Sequence, residues 1–371
     1  MAANIEATAK PARAVPVGAE VLTDDELFEM NVHQGFLAAA RGYWRTAVYR
    51  AVIAEAREVA SPDTPVDEIE SRMAGRPAYF LYAWLERHLQ QARYGGRGGV
   101  MTVARQHRDA LGSLFPAGGK GDTAAPAHIR ALDIHQHPGG LSAAIENAVA
   151  HEWYHCGPSF SGVGTEGMVD FYVASVSKLL PRGGSVVDVG CTLGRMTLAL
   201  KKALPGARVT GVDVCEPVIR VAREKARRLG LAVDFRVADA ADMPFPDASF
   251  DVVASHWLFH ELPAALRERA VDEAYRLTRP GGHVVIFDMY RCPGGNLALW
   301  LQKGFSVRNN EPFSIGFSNM DLKAALERRG FRDVSVSDFN PDDNSVGTAT
   351  ALPPARTHFT TLVCAQRPPA S

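Results

Sequence analysis

Residues 186–194, Val186-Val187-Asp188-Val189-Gly190-Cys191-Thr192-Leu193-Gly194, decide the fold of this chain. Three valines broken only by an aspartate make a short apolar run of the kind that is buried on both faces of a parallel sheet. The glycines at 190 and 194 then allow a tight turn and a close approach of backbone to ligand. A second strand ends on an acid at Gly211-Val212-Asp213, and a third at Val237-Ala238-Asp239-Ala240.

Outward from that loop, the periodicity predicts helix 165–180, strand 185–189, helix 194–203, strand 207–212 and helix 216–229. Strands 232–237 and 250–254, helix 263–278, strand 282–288, helix 319–329 and strands 332–339 and 359–366 follow. Strands alternating with helices imply an α/β fold, a parallel sheet with crossover helices. The last two strands, joined by the loop Pro341 to His358, are expected to close it as an antiparallel hairpin.

Ligands of such sheets bind beyond the carboxyl ends of the strands, at the switch point of the strand order. The turn reads Asp-x-Gly-x-x-x-Gly, and Gly190, Thr192 and Arg195 do not supply the dinucleotide pattern Gly-x-Gly-x-x-Gly/Ala. A carboxylate at Asp213 can accept both hydroxyls of an adenosine ribose. One at Asp239 can accept from an adenine amino group, with Ala240 small enough to leave room for the ring.

Asp188 to Gly194, Gly211-Val212-Asp213, Ala238-Asp239-Ala240, Phe250-Asp251-Val252-Val253 and Leu277-Thr278-Arg279-Pro280-Gly281-Gly282 occur in this order at suitable distances. Together they resemble class I S-adenosylmethionine-dependent methyltransferases, in particular the ubiquinone/menaquinone C-methyltransferase group. The resemblance covers roughly residues 165–340. It implies a Rossmann-like seven-stranded sheet and S-adenosyl-L-methionine as cofactor, with the methionine half near the first loop. The cofactor-binding residues it implies are Asp188, Gly190, Cys191, Thr192, Gly194, Asp213, Val214, Asp239, Ala240 and Ser255. Thr192 departs from the commonest family sequence, which has glycine there. Asp133-Ile134-His135-Gln136-His137-Pro138-Gly139-Gly140, Phe259-His260-Glu261-Leu262-Pro263 and Asn310-Glu311-Pro312-Phe313 more loosely resemble uncharacterised bacterial members with a helical segment ahead of the sheet.

That segment reads as helical from Thr23, where Thr23-Asp24-Asp25-Glu26 forms a capping box. Apolar residues recur at helical spacing over 35–60, 66–73 and 77–93. Residues 1–20 are read as a disordered lead-in, 21–112 as a helical cap or homodimerisation domain, 113–130 as a linker and 131–371 as the methyltransferase domain. The formal net charge of -1 gives no basic surplus for nucleic acid, and no apolar run has the length of a membrane span. Five cysteines without a Cys-x-x-Cys pair favour reduced thiols and a cytoplasmic protein.

The fourth strand ends in Ser255-His256-Trp257-Leu258-Phe259-His260-Glu261, the edge to which the family brings its acceptor. His260 is the first candidate general base, with Glu261 to orient it and His256 as second candidate. The other reading of such a histidine is that it lines the cofactor pocket. The two histidines, at i and i+4, also have the spacing of a metal pair, although a strand end disfavours that. His151-Glu152-Trp153-Tyr154-His155 matches the zinc motif His-Glu-x-x-His. No third histidine follows at the extended spacing, Cys156-Gly157-Pro158 breaks the helix, and no metal is expected. Instead Tyr154 or Trp153 would cover the donor's cation with an aromatic face, or both are core between two domains. His135-Gln136-His137 reads as a positioned loop entering the catalytic domain. The expected reaction is methyl transfer to O, N or C of a small apolar or aromatic molecule, in a pocket walled by Phe305, Phe313 and Phe317. The alternatives are a metal-assisted methyltransferase or a non-catalytic binder of the donor.

Overall fold

The computed structural model describes residues 16–116, 125–157, 165–291, 294–340, 345–348, 351–353, 355 and 360–370. Of the expected lead-in and linker, residues 1–15 and 117–124 lie outside the described residues. Val17 and Ala19 are buried, and Trp153 Nε1 donates to the Val17 carbonyl.

The N-terminal helices are α1 (Asp24–Tyr43), α2 (Tyr49–Val59), α3 (Val66–Met73), α4 (Pro77–Ala92), α5 (Val100–Gln106) and α6 (Arg108–Leu114). The capping box forms: Glu26 N donates to Thr23 Oγ1, and Thr23 N donates to Glu26 Oε2. The expected helix 35–60 is interrupted by a π-helical turn, Trp44–Val48, that turns both Trp44 and Val48 into the core. Short α7 (Ala127–Arg130) leads to α8 (Ile145–Cys156) and α9 (Thr165–Leu179).

The sheet is built from β1 (Ser185–Val189), β2 (Arg208–Asp213), β3 (Asp234–Val237), β4 (Phe250–His256), β5 (Thr278–Asp288), β6 (Arg332–Asn340), β7 (Ser345–Gly347) and β8 (Thr360–Gln366). Its order is β3-β2-β1-β4-β5-β8-β6-β7, parallel through β5 and antiparallel from β8 onward. Eight strands replace the expected seven, because three-residue β7 adds to the edge of β6. The helices of this half are α10 (Arg195–Ala203), α11 (Glu216–Arg228), α12 (Ala264–Leu277), α13 (Gly295–Arg308), α14 (Ser314–Ser318) and α15 (Leu322–Arg329). The expected helix 319–329 starts later, at Leu322, because Asp321 Oδ1 caps it by accepting from Ala324 N.

β1 is buried along its whole length. Its alternation places Val187 and Val189 in one core and Val186 in the other, as a strand covered on both faces requires. At the opposite end from the loop, Arg279 Nη1 pairs with Asp251 Oδ2 (2.8 Å), which also accepts from Ser185 N. The motif residues at 251 and 279 thus staple β1, β4 and β5 together.

The helical region is not a separate layer. Met30, Tyr94, Val100 and Trp153 share one core with Leu193, Cys215, Val218 and Val221. Leu297, Trp300 and Leu301 of α13, inserted between β5 and β6, lie in the core of α1 to α4. No helix among the described residues is long and apolar enough to cross a membrane.

Candidate active site

β1 and β4 lie side by side while their continuations go to opposite sides of the sheet, so a crevice opens beyond their carboxyl ends. There the loop after β1 runs through positive φ at Gly190 (75°), Thr192 (46°) and Gly194 (73°). Gly190 N and Cys191 N both donate to the Val212 carbonyl at 2.9 Å. Thr192 N donates to Asp213 Oδ2 and Cys215 N to Asp213 Oδ1, each at 2.9 Å. Asp213 therefore ties the two strand ends together while keeping lone pairs for a ligand. Burial pushes its carboxyl up, against the pull of those two amides.

A cavity of about 290 Å³ stands over this loop. Asp188, Gly190, Cys191, Thr192, Asp213 and Val214 line it, as do Asp239 and Ala240. Asp188 is buried beneath, accepting from the Tyr172 hydroxyl (2.9 Å) and from Thr197 Oγ1 (2.5 Å). Burial raises its carboxyl to about 6, although both hydroxyls pull it down. Asp239 Oδ1 accepts from Ala241 N at 2.8 Å. Two expected ligand residues stand elsewhere. Gly194 lies behind the loop, where a Cβ would come 2.7 Å from the Phe235 ring, so its role is backbone shape and packing. Ser255 is buried within β4, between Val189 and Ile286 of the flanking strands, and is not among the lining residues.

At the strand-end wall, five buried or half-buried groups form an alternating chain of acid and imidazole. His260 Nδ1 donates to Asp288 Oδ1 at 2.6 Å, and its Nε2 lies 3.4 Å from Glu261 Oε1. The same Glu261 oxygen lies 3.2 Å from His135 Nε2, and His135 Nδ1 donates to Glu311 Oε1 at 2.8 Å. Asp288 is fixed in turn by Phe259 N and Met289 N. Burial pushes the His260 imidazole down, but the carboxylates of Asp288 and Glu261 outweigh it and raise it well above its ordinary value. His135, likewise opposed by burial, is raised by Glu311 and Glu261 to about 10. Burial raises Glu261, yet the bonds from His135 and His260 hold it below the usual carboxylate range. Glu261 Oε2 and Glu311 Oε2 are buried without a hydrogen-bond partner.

This geometry corrects the expected roles. His260 has both ring nitrogens facing carboxylates that favour its protonated form, a setting that opposes the expected roles of neutral base and metal ligand. His256 is pushed down to about 3 by burial and by Arg195 and His260, which leaves it a neutral, weak base. The sequence reading quoted His135 and Glu311 within its looser resemblance and gave neither a role at the site. Their signals were a pair of histidines at a glycine turn and an acid closing α13. His135 (φ 57°) and Gln136 (φ 58°) both adopt the left-handed backbone, local strain that concentrates at functional sites.

The third wall comes from the helical region. His151 and His155 of α8 line the cavity with ring centroids 4.1 Å apart, and burial pushes both imidazoles far down. Glu152, the would-be water activator, instead pairs with Lys225 Nζ of α11 at 2.8 Å. Tyr154 also lines the cavity, but Arg93 covers its ring (4.5 Å to the centroid) and Arg41 Nη1 donates to its hydroxyl (2.9 Å). The expectation that Tyr154 covers the donor's cation is therefore corrected: two guanidiniums already stand there, and a third positive charge would be repelled. Trp153 is core. Of the expected phenylalanine wall only Phe305 lines the cavity; Phe317 packs in the sheet core against Phe259. Phe313 is not among the lining residues, and its carbonyl accepts from Arg267.

Comparison with known proteins matches residues 187–286 to the family described as a methyltransferase domain. The chain is 39% identical over 114 residues to a demethylmenaquinone methyltransferase of Thermus thermophilus, covering 31% of this chain and 51% of that one. It is 36% identical over 170 residues to the methyltransferase GfsG of Streptomyces halstedii, covering 45% and 59% respectively. A solved structure from Thermotoga maritima, a possible histamine N-methyltransferase, is 22% identical with a TM-score of 0.40, covering 54% of this chain and 92% of that one. The chain spans about half the length of the curated relatives it matches.

Proposed function

We propose that this chain, which carries a class I S-adenosylmethionine-dependent methyltransferase domain, methylates a small molecule held between the strand ends and the N-terminal helices. The observation that carries the reading is the single cavity joining the loop 190–193, Asp213 and Asp239 to the buried chain Asp288–His260–Glu261–His135–Glu311.

The residues present fit the donor. Asp213 and Asp239 are carboxylates with acceptor capacity left over, as a ribose diol and an amino group require. Ala240 leaves space beside them, and the loop 190–193 presents its backbone to the methionine half. Asp188 acts from beneath, holding the first turn of α10 through Thr197. When bound, S-adenosylmethionine supplies a methyl group already activated on a sulfonium.

The chain's own task is then to align the acceptor's lone pair with that methyl. Glu261 does this by accepting a hydrogen bond from the acceptor's hydroxyl or amine through Oε2. In support, that oxygen is buried without a hydrogen-bond partner, and Glu261 is one of the residues that line the cavity. His260 and His135 keep Glu261 ionised and fixed; they are positioning residues. The helices α1 and α4 also serve self-association. Supporting this, Phe28, Val32, Phe36 and Tyr43 stand exposed along α1, beside exposed Phe80 and Trp84 of α4. Met30, Gln34 and Leu37 meanwhile bury the opposite face of α1.

Calorimetric titration with S-adenosylhomocysteine tests the cofactor assignment. Hydrogen bonds to a charged group contribute about 1.5–3 kcal/mol, so Asp213→Ala should weaken binding by roughly 10- to 150-fold. Unchanged affinity in that variant overturns the assignment.

A further inference from the structure

The cavity is electrically lopsided. Around the loop and along the strand ends it carries Asp188, Asp213, Asp239, Glu261 and Glu311, offset there by Arg195, by the imidazolium of His135 and by His260. Across from them the helical region supplies Arg41 and Arg93. Arg93 is buried, its Nε has no hydrogen-bond partner, and its guanidinium stacks on Tyr154. Among the described residues no carboxylate stands within ion-pair distance of either guanidinium; Arg93 has the phenols of Tyr94 and Tyr154 and the Arg41 guanidinium as neighbours, and Arg41 donates to the Tyr154 hydroxyl. A buried cation without a counter-ion is costly, and proteins keep one where a ligand supplies the missing charge.

Resting on the methyl-transfer reading above, we infer that Arg41 and Arg93 form the subsite for an anionic group, a carboxylate or phosphate, on the methyl acceptor. The acceptor is then a small organic anion that also bears a hydroxyl or amine. Its anion docks on the guanidinium pair, and its hydroxyl or amine reaches Glu261 on the facing wall. The carboxylates of Asp188, Asp213 and Asp239 outnumber Arg195 around the loop, so they repel the anion and set which end of the molecule points toward the methyl donor. Arg93 is pushed down to about 10 by burial and by Arg41, and still keeps its charge at neutral pH. The acceptor so inferred is dipolar, which narrows the expectation of a small apolar or aromatic molecule.

The test uses the full chain saturated with S-adenosylhomocysteine and titrated with benzoate, inorganic phosphate and phenyl phosphate, with benzamide as the neutral control. At least one anion should bind while benzamide does not. Arg93→Met should weaken that binding by about tenfold or more, the loss expected for a charge-assisted contact, with S-adenosylhomocysteine affinity unchanged. The ligand-free melting temperature of Arg93→Met should hold or rise, since the variant removes an uncompensated buried charge; a merely structural Arg93 would make it fall. Arg41→Gln, at a half-buried position, gives the same readout if Arg93→Met does not fold. Binding of none of the anions, or equal anion binding in the variants, overturns the inference. So does an Arg93→Met protein that loses S-adenosylhomocysteine but retains 5′-methylthioadenosine, which would put the donor's own carboxylate on the guanidiniums. Failure of the wild-type chain to bind S-adenosylhomocysteine at all would instead sink the methyl-transfer reading.

Discussion

Individual residues in the loop after β1 respond to backbone shape before chemistry. Thr192 sits at φ 46°, where a side chain costs about 1–2 kcal/mol, which explains why glycine is the commoner residue in similar loops. Thr192→Gly should therefore leave the melting temperature equal or slightly higher, because relief of strain offsets the added freedom of the unfolded chain. Gly190→Ala should do the opposite: φ is 75° and a Cβ would come 2.9 Å from Leu258. Lower thermal stability and weaker S-adenosylhomocysteine binding are both expected, measured by melting and calorimetry. His135 gives a pH signature. Its folded value, about 10, lies above the ordinary 6.5. Its contribution to stability is thus fully present below pH ~6.5 and is lost as pH rises toward ~10. Urea midpoints measured from pH 7 to 10 should fall in the wild type and fall less in His135→Gln; equal slopes would remove the imidazole–carboxylate chain as the cause. The acids at 188, 213 and 239 were legible in the sequence because each stands at or just beyond the carboxyl end of an expected strand. His135, Glu311, Arg41 and Arg93 were not, because only tertiary packing brings them to the cavity.

Among the elements, α8 shows how a motif can be read correctly and its chemistry still be absent. The His-Glu-x-x-His motif does lie on a helix, and its two histidines, His151 and His155, both line the cavity. Glu152, however, projects to α11, where Lys225 meets it at 2.8 Å with both side chains largely buried. Breaking such a pair on one side costs about 3–5 kcal/mol, because the remaining charge stays buried. Glu152→Gln should lower the unfolding free energy by about that much, and Glu152→Gln with Lys225→Met should recover most of it. Urea denaturation of the three proteins decides this; an unaffected single variant would show that the clamp is not holding α8. The strands from β1 to β6 and β8 were readable from period and spacing. The start of α15 at Leu322 and the edge strand β7 were not, since one depends on the Asp321 cap and the other is only three residues long.

The molecule as a whole contains two apolar surfaces of unequal fate. The inner faces of α1 to α4 are covered by α13, while the outer stripe of Phe28, Val32, Phe36, Phe80 and Trp84 remains open to solvent. Exposed apolar stripes of this kind mark association sites. Light scattering behind size exclusion should give a dimer mass for the wild type and a monomer mass for Phe36→Asp with Trp84→Asp. A wild-type monomer would remove the self-association reading. The joint between helices and sheet is a different matter. Because Met30, Tyr94 and Trp153 share their core with Leu193, Val218 and Val221, neither half can lose its packing alone. Calorimetrically the chain should melt in one endotherm with equal van't Hoff and measured enthalpies. A ligand of the loop after β1 should then raise the melting of the distant N-terminal helices as much as that of the sheet.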